Sequence, residues 1–245
     1  MNEVYILDSH NPQVTRKWLE AHKPRVIIKA IAGDDSIDLQ ACRELGVSVV
    51  RADYQHEIPC VEWCLRMLLE FEGARGREVC GKRAVVVGSA GRIGSKLEKA
   101  LYALGVHTLS FDKKLDHSRE DLLERLGKAD YCFVCCPLTD ETKGLIGRIE
   151  LEALGSDGAL ICVSRALVCD FPAVSAFVAK GGRFAVDADD IDDYLVENRL
   201  KVTFHDRFFN TRHICGYTRE AKQRRAEAIS RVLEAINEPA GIVIQ

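Results

Sequence analysis

Residues 84–94 read AVVVGSAGRIG, a short apolar run that passes directly into a glycine-rich turn. The run has the length and the β-branched composition of a buried strand, and the residues after it, as far as Gly105, have the spacing of an amphipathic helix. Glycines at such a turn let the backbone approach a pyrophosphate, and the helix N-terminus favours the negative charge. The stretch therefore predicts a βαβ unit of a Rossmann-type domain, residues 81–112, that holds an adenine dinucleotide.

The carboxylate expected at the ribose of such a ligand is Asp112, which ends the next predicted strand 18 residues after Gly94. A carboxylate there can accept hydrogen bonds from the ribose and would repel a 2′-phosphate, so NAD is expected rather than NADP. Lys113 and Lys114 follow directly and weaken this preference. The glycine pattern of the turn is GxxGxxG, which has one residue more between its first two glycines than the usual GxGxxG.

The rest of the chain alternates short β-rich runs with amphipathic segments, which predicts an α/β fold with parallel sheets. We predict a Rossmann-type doubly wound domain over residues 74–217 and a smaller flavodoxin-like α/β domain over residues 1–73. A long C-terminal helix, 218–238 with Thr218 as a possible N-cap, is expected to pack back on the smaller domain.

Composition and charge limit the classes of binding partner that are expected. The 34 basic and 37 acidic residues give a net charge of −3 without a polybasic block, so no nucleic-acid partner is expected. No apolar run approaches the roughly 20 residues of a membrane span, and the N-terminus does not resemble a signal peptide, so a cytoplasmic protein without a membrane partner is expected. Most of the ten cysteines lie in apolar runs and are interpreted as buried thiols rather than as disulfides or metal ligands.

From about residue 62 to residue 220, the order of motifs resembles the D-isomer-specific 2-hydroxyacid dehydrogenase family. The matching stretches are VEW (61–63), GK (81–82), GRIG (91–94), CPLTDETKGLIG (136–147), VSRALVCD (163–170) and HICGYT (213–218). Each motif alone is modest, and their order and spacing make the resemblance specific.

The resemblance implies a catalytic set. His213 would be the acid/base, Arg165 would bind the carboxylate and carbonyl of the substrate, and Asp192 stands where the family has a glutamate that tunes the histidine. It also implies a cofactor groove, with Asp187 at the nicotinamide end, formed by Gly88, Gly91, Arg92, Ile93, Gly94, Asp112, Cys136, Pro137, Thr142, Val163, Ser164 and Asp187.

The chain departs from the family mainly around substrate recognition. From the resemblance, the smaller domain is expected to lack one or two βα units, and the substrate loop is expected to contract to Ala32-Gly33-Asp34-Asp35, whose two carboxylates would repel an anion. Arg212 replaces the family's proline, and Ala166 replaces its glycine. We expect an NAD-dependent oxidoreductase acting on a small 2-oxo or 2-hydroxy acid, as a homodimer. An S-adenosylmethionine-dependent transferase and a non-catalytic NAD-binding protein remain alternatives.

Overall fold

The structure, a computed structural model, describes residues 4–8, 13–31, 33–34, 36–189, 191, 200–201 and 203–237. The main helices are α1 (Arg16–His22), α2 (Leu39–Glu44), α3 (Glu57–Gly73), α4 (Arg92–Ala103), α5 (Arg119–Leu126), α6 (Arg148–Leu154), α7 (Phe171–Ala179) and α8 (Arg219–Asn237). The strands are β1 (Val4–Leu7), β2 (Val26–Lys29), β3 (Ser48–Arg51), β4 (Arg83–Val87), β5 (His107–Phe111), β6 (Tyr131–Val134), β7 (Ala159–Cys162), β8 (Arg183–Val186) and β9 (Phe208–Asn210).

The chain divides into two compact units, one formed by Met1–His56 with Tyr217–Gln245 and the other by Glu57–Gly216. The sequence prediction put the boundary after residue 73, whereas the structure groups α3 with the larger unit. The physical reason is burial, because α3 residues such as Trp63 and Leu68 share one apolar core with Val86 of β4. Within the described residues, no helix is both long and apolar enough to cross a membrane.

The smaller unit is built on three parallel strands in the order β1-β2-β3. Side chains of β2 alternate between two cores, as expected for a strand covered on both faces. Ile27 faces a core shared with α1 and α2, and Ile28 faces a core shared with α8. Helix α8 begins where the sequence predicts, because the Thr218 hydroxyl accepts a hydrogen bond from the Ala221 N–H at 3.1 Å.

The larger unit is a six-stranded parallel sheet in the order β5-β4-β6-β7-β8-β9. Alternate residues of β4 point to opposite faces, Val85 and Val87 to one core and Val86 to the other. Helices α5, α6 and α7 cover the first face, and α3 and α4 cover the second. The chain passes from β4 to β5 on one side and then returns to β6 on the other side of β4, so the predicted doubly wound parallel sheet is confirmed.

Candidate active site

The predicted site residues of the larger unit lie at the carboxyl edge of its sheet. The strand order reverses between β4 and β6, and ligands of open α/β sheets bind outside the carboxyl ends of the strands at such a point. Gly88 directly follows β4, Asp112 follows β5, and Cys135 and Cys136 follow β6. The loops after β7, β8 and β9 carry Arg165, Asp187 and His213 on the neighbouring strands.

The glycine turn is a cradle that a side chain would fill. Gly88 has a φ of +89°, and a Cβ there would lie 2.7 Å from the backbone nitrogen of Cys136. A Cβ on Gly94 would lie 2.2 Å from the carbonyl oxygen of Gly88. These two glycines let α4 and the loop after β6 pack closely against the turn.

Gly91 has a different role, because it is the N-cap of α4 and provides no side-chain cap. The first bond within this helix runs from the Ser95 N–H to the Gly91 carbonyl at 3.0 Å, so the N–H groups before Ser95 have no acceptor in the helix. A helix N-terminus without a side-chain cap is suited to a phosphate. Together with the cradle, this arrangement fits the pyrophosphate of a dinucleotide.

A buried carboxylate stands beside the first turn of α4. Glu57 is 6% exposed, and its oxygens lie 3.3 Å from the guanidinium of Arg92 and 3.3 Å from the ammonium of Lys96. Burial alone would raise the pKa of Glu57, but a hydrogen bond from its own backbone and the two cations outweigh burial and lower it. Arg92, predicted to line the cofactor groove, is therefore tied to α3.

Asp112 is oriented by the backbone around it. Its carboxylate accepts hydrogen bonds from the N–H of Ala90 at 3.0 Å and from the N–H of Lys114 at 2.9 Å. The first of these fixes the carboxylate against the glycine turn, where the sequence predicts the ribose. The adjacent cation, Lys113, pairs with Glu141 at 2.5 Å.

The loop after β6 is held by hydroxyl groups. The Thr142 hydroxyl donates to the carbonyl of Pro137 at 2.6 Å, and the Ser164 hydroxyl donates to the carbonyl of Cys136 at 2.6 Å. The Val163 N–H donates to the carbonyl of Val134 at 3.1 Å. Ile93 is half-buried against the core under α3 and α4. Thr142 and Ser164 therefore hold the backbone of the loop that the resemblance places along the cofactor groove.

His213 has a carboxylate partner that the sequence reasoning missed. Its Nδ1 lies 3.0 Å from Oδ1 of Asp189, with the imidazole 31% exposed and the carboxylate 67% exposed. Because this contact orients the imidazole through Nδ1, His213 is a candidate group for proton exchange with a substrate. The predicted partner, Asp192, lies outside the described residues. The only sequence signal for Asp189 is its place in the acidic run that follows β8.

The backbone at this histidine is strained. Arg212 and His213 have φ values of +55° and +58°, in the left-handed region that costs non-glycine residues of order 1 to 3 kcal/mol. A proline, whose φ is held near −65°, could not adopt the conformation of Arg212. Arg212 therefore allows a backbone conformation that a proline at this position would exclude.

Asp187 is buried and engaged with the histidine loop. Its Oδ1 accepts hydrogen bonds from the Thr211 hydroxyl and, at 2.9 Å, from the Ile214 N–H, and its Oδ2 accepts one from the Cys215 N–H at 2.9 Å. The indole N–H of Trp63 in turn donates to the Thr211 hydroxyl at 3.0 Å. The resemblance implies that Asp187 lies at the nicotinamide end, and in this structure its contacts connect it to the loop that carries His213.

Two further predicted features concern substrate binding. Arg165 is half-buried and directly precedes the 3₁₀ turn Ala166–Val168 at the end of β7. In the smaller unit, the buried ammonium of Lys29 pairs with the carboxylate of Asp34. Lys29 thus offsets the charge of Asp34, one of the two carboxylates that were expected to repel an anion. Ala32 and Asp35 lie outside the described residues.

Comparison with known proteins places these features in a family. Residues 54–215, about two thirds of the chain, match the D-isomer specific 2-hydroxyacid dehydrogenase, NAD binding domain. The chain is 27% identical, over 90% of its length, to 48% of the D-3-phosphoglycerate dehydrogenase of Methanocaldococcus jannaschii. It is 30% identical, over 94% of its length, to 61% of the erythronate-4-phosphate dehydrogenase of Cronobacter sakazakii.

The fold is shared with solved structures of the same class. The NAD⁺-bound 3-phosphoglycerate dehydrogenase of Entamoeba histolytica superposes with a TM-score of 0.81 at 21% identity, over 97% of this chain and 80% of that one. The chain spans about half the length of the first curated relatives, 48% and 55% of the M. jannaschii and Schizosaccharomyces pombe proteins. These matches do not favour the S-adenosylmethionine-dependent alternative. The chain belongs to the D-isomer-specific 2-hydroxyacid dehydrogenase family and contains its NAD-binding domain, which confirms the predicted cofactor.

Proposed function

We propose that this chain is an NAD-dependent dehydrogenase that interconverts a small 2-oxo acid and the corresponding 2-hydroxy acid. The observation that carries the proposal is the placement of His213, paired with a carboxylate, at the same sheet edge as the glycine cradle. A dinucleotide site and a proton-transfer group on adjacent strand ends are the two parts that this reaction needs.

The protein's part in the reaction is proton transfer and orientation. Bound NADH would supply the hydride to C2 of the 2-oxo acid. His213 would donate a proton from Nε2 to the carbonyl oxygen, and in the reverse direction it would accept the hydroxyl proton. Asp189 would hold the imidazole through Nδ1 and stabilise its positive charge when it is protonated.

Arg165 would bind the carboxylate of the substrate. Its planar guanidinium can donate two parallel hydrogen bonds to a carboxylate, which fixes the substrate in one orientation. Arg165 follows β7, and His213 follows β9, with β8 between them in the sheet. This spacing supports a substrate held by its carboxylate on one side and protonated on the other.

The substrate panel follows from the relatives. Two of them are named for phosphorylated hydroxy acids, D-3-phosphoglycerate and erythronate-4-phosphate. We therefore propose to assay 2-oxo acids both with and without a phosphate group. The oxidation of NADH is followed by its absorbance, and NADH binding is measured separately by calorimetry.

The decisive variant is His213→Ala. We expect it to bind NADH as the wild type does and to lose at least about 100-fold in kcat, the range that general acid catalysis supplies. The matched control is His107→Ala, an exposed histidine at the opposite, amino end of β5, which should keep its activity. Binding of NADH without turnover of any 2-oxo acid by the wild type would instead indicate a non-catalytic NAD-binding protein.

We also propose a cytoplasmic homodimer. All ten cysteines are free thiols, which supports a reducing compartment. Leu69 on α3 and Tyr102 on α4 are 49% and 80% exposed, which supports a contact between copies of the larger unit. Light scattering after size-exclusion chromatography tests this, and a monomer at all concentrations would contradict it.

A further inference from the structure

The loop that carries His213 is attached to the sheet on both sides of its strained residues. Arg212 and His213 are consecutive non-glycine residues with positive φ, a conformation that persists only where surrounding contacts determine it. On one side, the Thr211 hydroxyl donates to Asp187; on the other, the N–H groups of Ile214 and Cys215 donate to the same carboxylate. We call these contacts the Asp187 clamp.

Backbone hydrogen bonds attach the Asp187 clamp to the sheet. Asp187 is 3% exposed, and its own N–H donates to the carbonyl of Cys162 in β7 at 3.1 Å. The Thr211 N–H donates to the carbonyl of Val186 in β8 at 3.1 Å. Because Asp187 and Thr211 are both held by backbone hydrogen bonds to neighbouring strands, the clamp fixes the histidine loop relative to the sheet.

Trp63 sets the direction of the hydrogen bond that closes the clamp. Its indole N–H can only donate, so it occupies an acceptor position of the Thr211 oxygen, 3.0 Å away. The carboxylate of Asp187 can only accept. The hydroxyl hydrogen of Thr211 must therefore point to Asp187, and the chain runs in one direction from indole to hydroxyl to carboxylate.

We propose that Thr211 and Trp63 are positioning residues for His213, acting through Asp187. The proposal rests on the proposed function, because it assigns a catalytic consequence to a residue placed there as the acid/base. It adds two residues that have no direct part in proton transfer, one of them on a helix about 150 residues earlier in the chain.

The test compares three variants of the full chain. Thr211→Val removes the hydroxyl while keeping the shape of the side chain, Thr211→Ser keeps the hydroxyl, and Trp63→Phe keeps an aromatic ring while removing the indole N–H together with part of the side-chain volume. We expect Thr211→Val to lower kcat by about 10- to 100-fold, the effect of misplacing a catalytic group by about 1 Å, with little change in the NADH dissociation constant. Thr211→Ser should restore most of kcat.

Matched controls separate positioning from a general loss of stability. Thr108→Val changes a half-buried threonine of β5 in the same sheet, and Trp18→Phe changes the other tryptophan of the chain. Both should keep wild-type kcat. The double variant Trp63→Phe with Thr211→Val should lose no more kcat than Thr211→Val alone, because both changes break the same hydrogen-bond chain.

A second readout does not depend on activity. Hydrogen exchange of the Ile214 and Cys215 amides reports the clamp directly, and we expect faster exchange in Thr211→Val than in Thr211→Ser. Equal kcat in Thr211→Val and wild type would overturn the positioning role. If the wild type turns over no 2-oxo acid, the proposed function fails, and unchanged exchange in Thr211→Val would then overturn the clamp as well.

Discussion

Gly94 and Gly91 stand three residues apart in the same turn, and the structure predicts opposite consequences for replacing each with alanine. In Gly94→Ala, the new Cβ would lie 2.2 Å from the carbonyl oxygen of Gly88 and 2.8 Å from the Cα of Ser89. Both are backbone atoms, so no side chain can rotate away. In Gly91→Ala, the nearest atom is the Gly88 oxygen at 3.1 Å, a contact that a small shift relieves.

The size of each effect follows from these distances. Ordinary contacts begin near 3.5 Å, so Gly94→Ala must move α4 away from β4 by about 1 Å, and such overpacking costs about 1 to 3 kcal/mol. In a unit of this size, 3 kcal/mol lowers Tm by about 6 to 12 °C. Gly91 has an extended backbone that alanine also adopts, so Gly91→Ala should lower stability by no more than about 1 kcal/mol.

For NADH binding, unlike for stability, we expect the replacement of Gly91 to have a large effect. Its new methyl group would stand at the N-cap of α4, where a pyrophosphate approaches the backbone, so we expect NADH affinity to fall at least about tenfold in a protein that still folds. Thermal unfolding by calorimetry and NADH titration of both variants provide the measurements. If Gly94→Ala unfolds at the wild-type temperature, or if Gly91→Ala binds NADH normally, the reasoning about the cradle is refuted.

Three further predictions concern charge and thiols. Asp189→Asn should lower kcat by about 10-fold or more. It should not change Tm, because an exposed ion pair contributes at most about 1 kcal/mol to stability. A larger loss of kcat in Asp192→Asn than in Asp189→Asn would assign the histidine partner to Asp192 instead. Asp112→Ser should narrow the preference for NADH over NADPH in competition titrations, and an unchanged preference would contradict the role of this carboxylate. Iodoacetamide at pH 8 should label the exposed Cys80 in the native protein and spare Cys215. The hydrogen bond of the Cys215 thiol with Cys60, followed by burial, raises the pKa of the Cys215 thiol and so keeps it protonated and unreactive. Rapid labelling of Cys215 would contradict its burial.

A raised thiol pKa also determines the direction in which stability changes with pH. Burial raises the pKa of the Cys136 thiol to about 12, above the value near 8.5 of an exposed thiol. The folded state therefore keeps its proton over a range of pH in which the unfolded state has lost it. This contribution to stability is complete below about pH 8.5 and falls as the pH rises toward 12.

Much of the cofactor domain was readable from the sequence, because its signals are local. The apolar run before Gly88, the glycine spacing and Asp112 at the end of the next strand all depend on residues within about 30 positions of each other. The same holds for the N-cap at Thr218, whose hydroxyl contacts an amide three residues later. Local periodicity and capping chemistry determine such features before the chain has any tertiary contact.

The boundary of the smaller domain was not readable in this way. The sequence placed α3 before the boundary because a glycine-punctuated, charged stretch follows it. Its assignment to the larger unit depends on the face of the sheet that its apolar side chains cover, where Met67 and Phe71 join the core of β4 and β6. A helix with apolar residues on most of its surface carries no local signal of which sheet it covers.

The surroundings of His213 separate the two kinds of information most clearly. The family resemblance pointed to the histidine, and the composition of the sequence showed an acidic run after β8. Only the tertiary structure brought Asp189 to its Nδ1 and linked Trp63 through Thr211 to Asp187. Contacts between residues 24 to 148 positions apart depend on the path of the chain around the sheet, which no local pattern specifies.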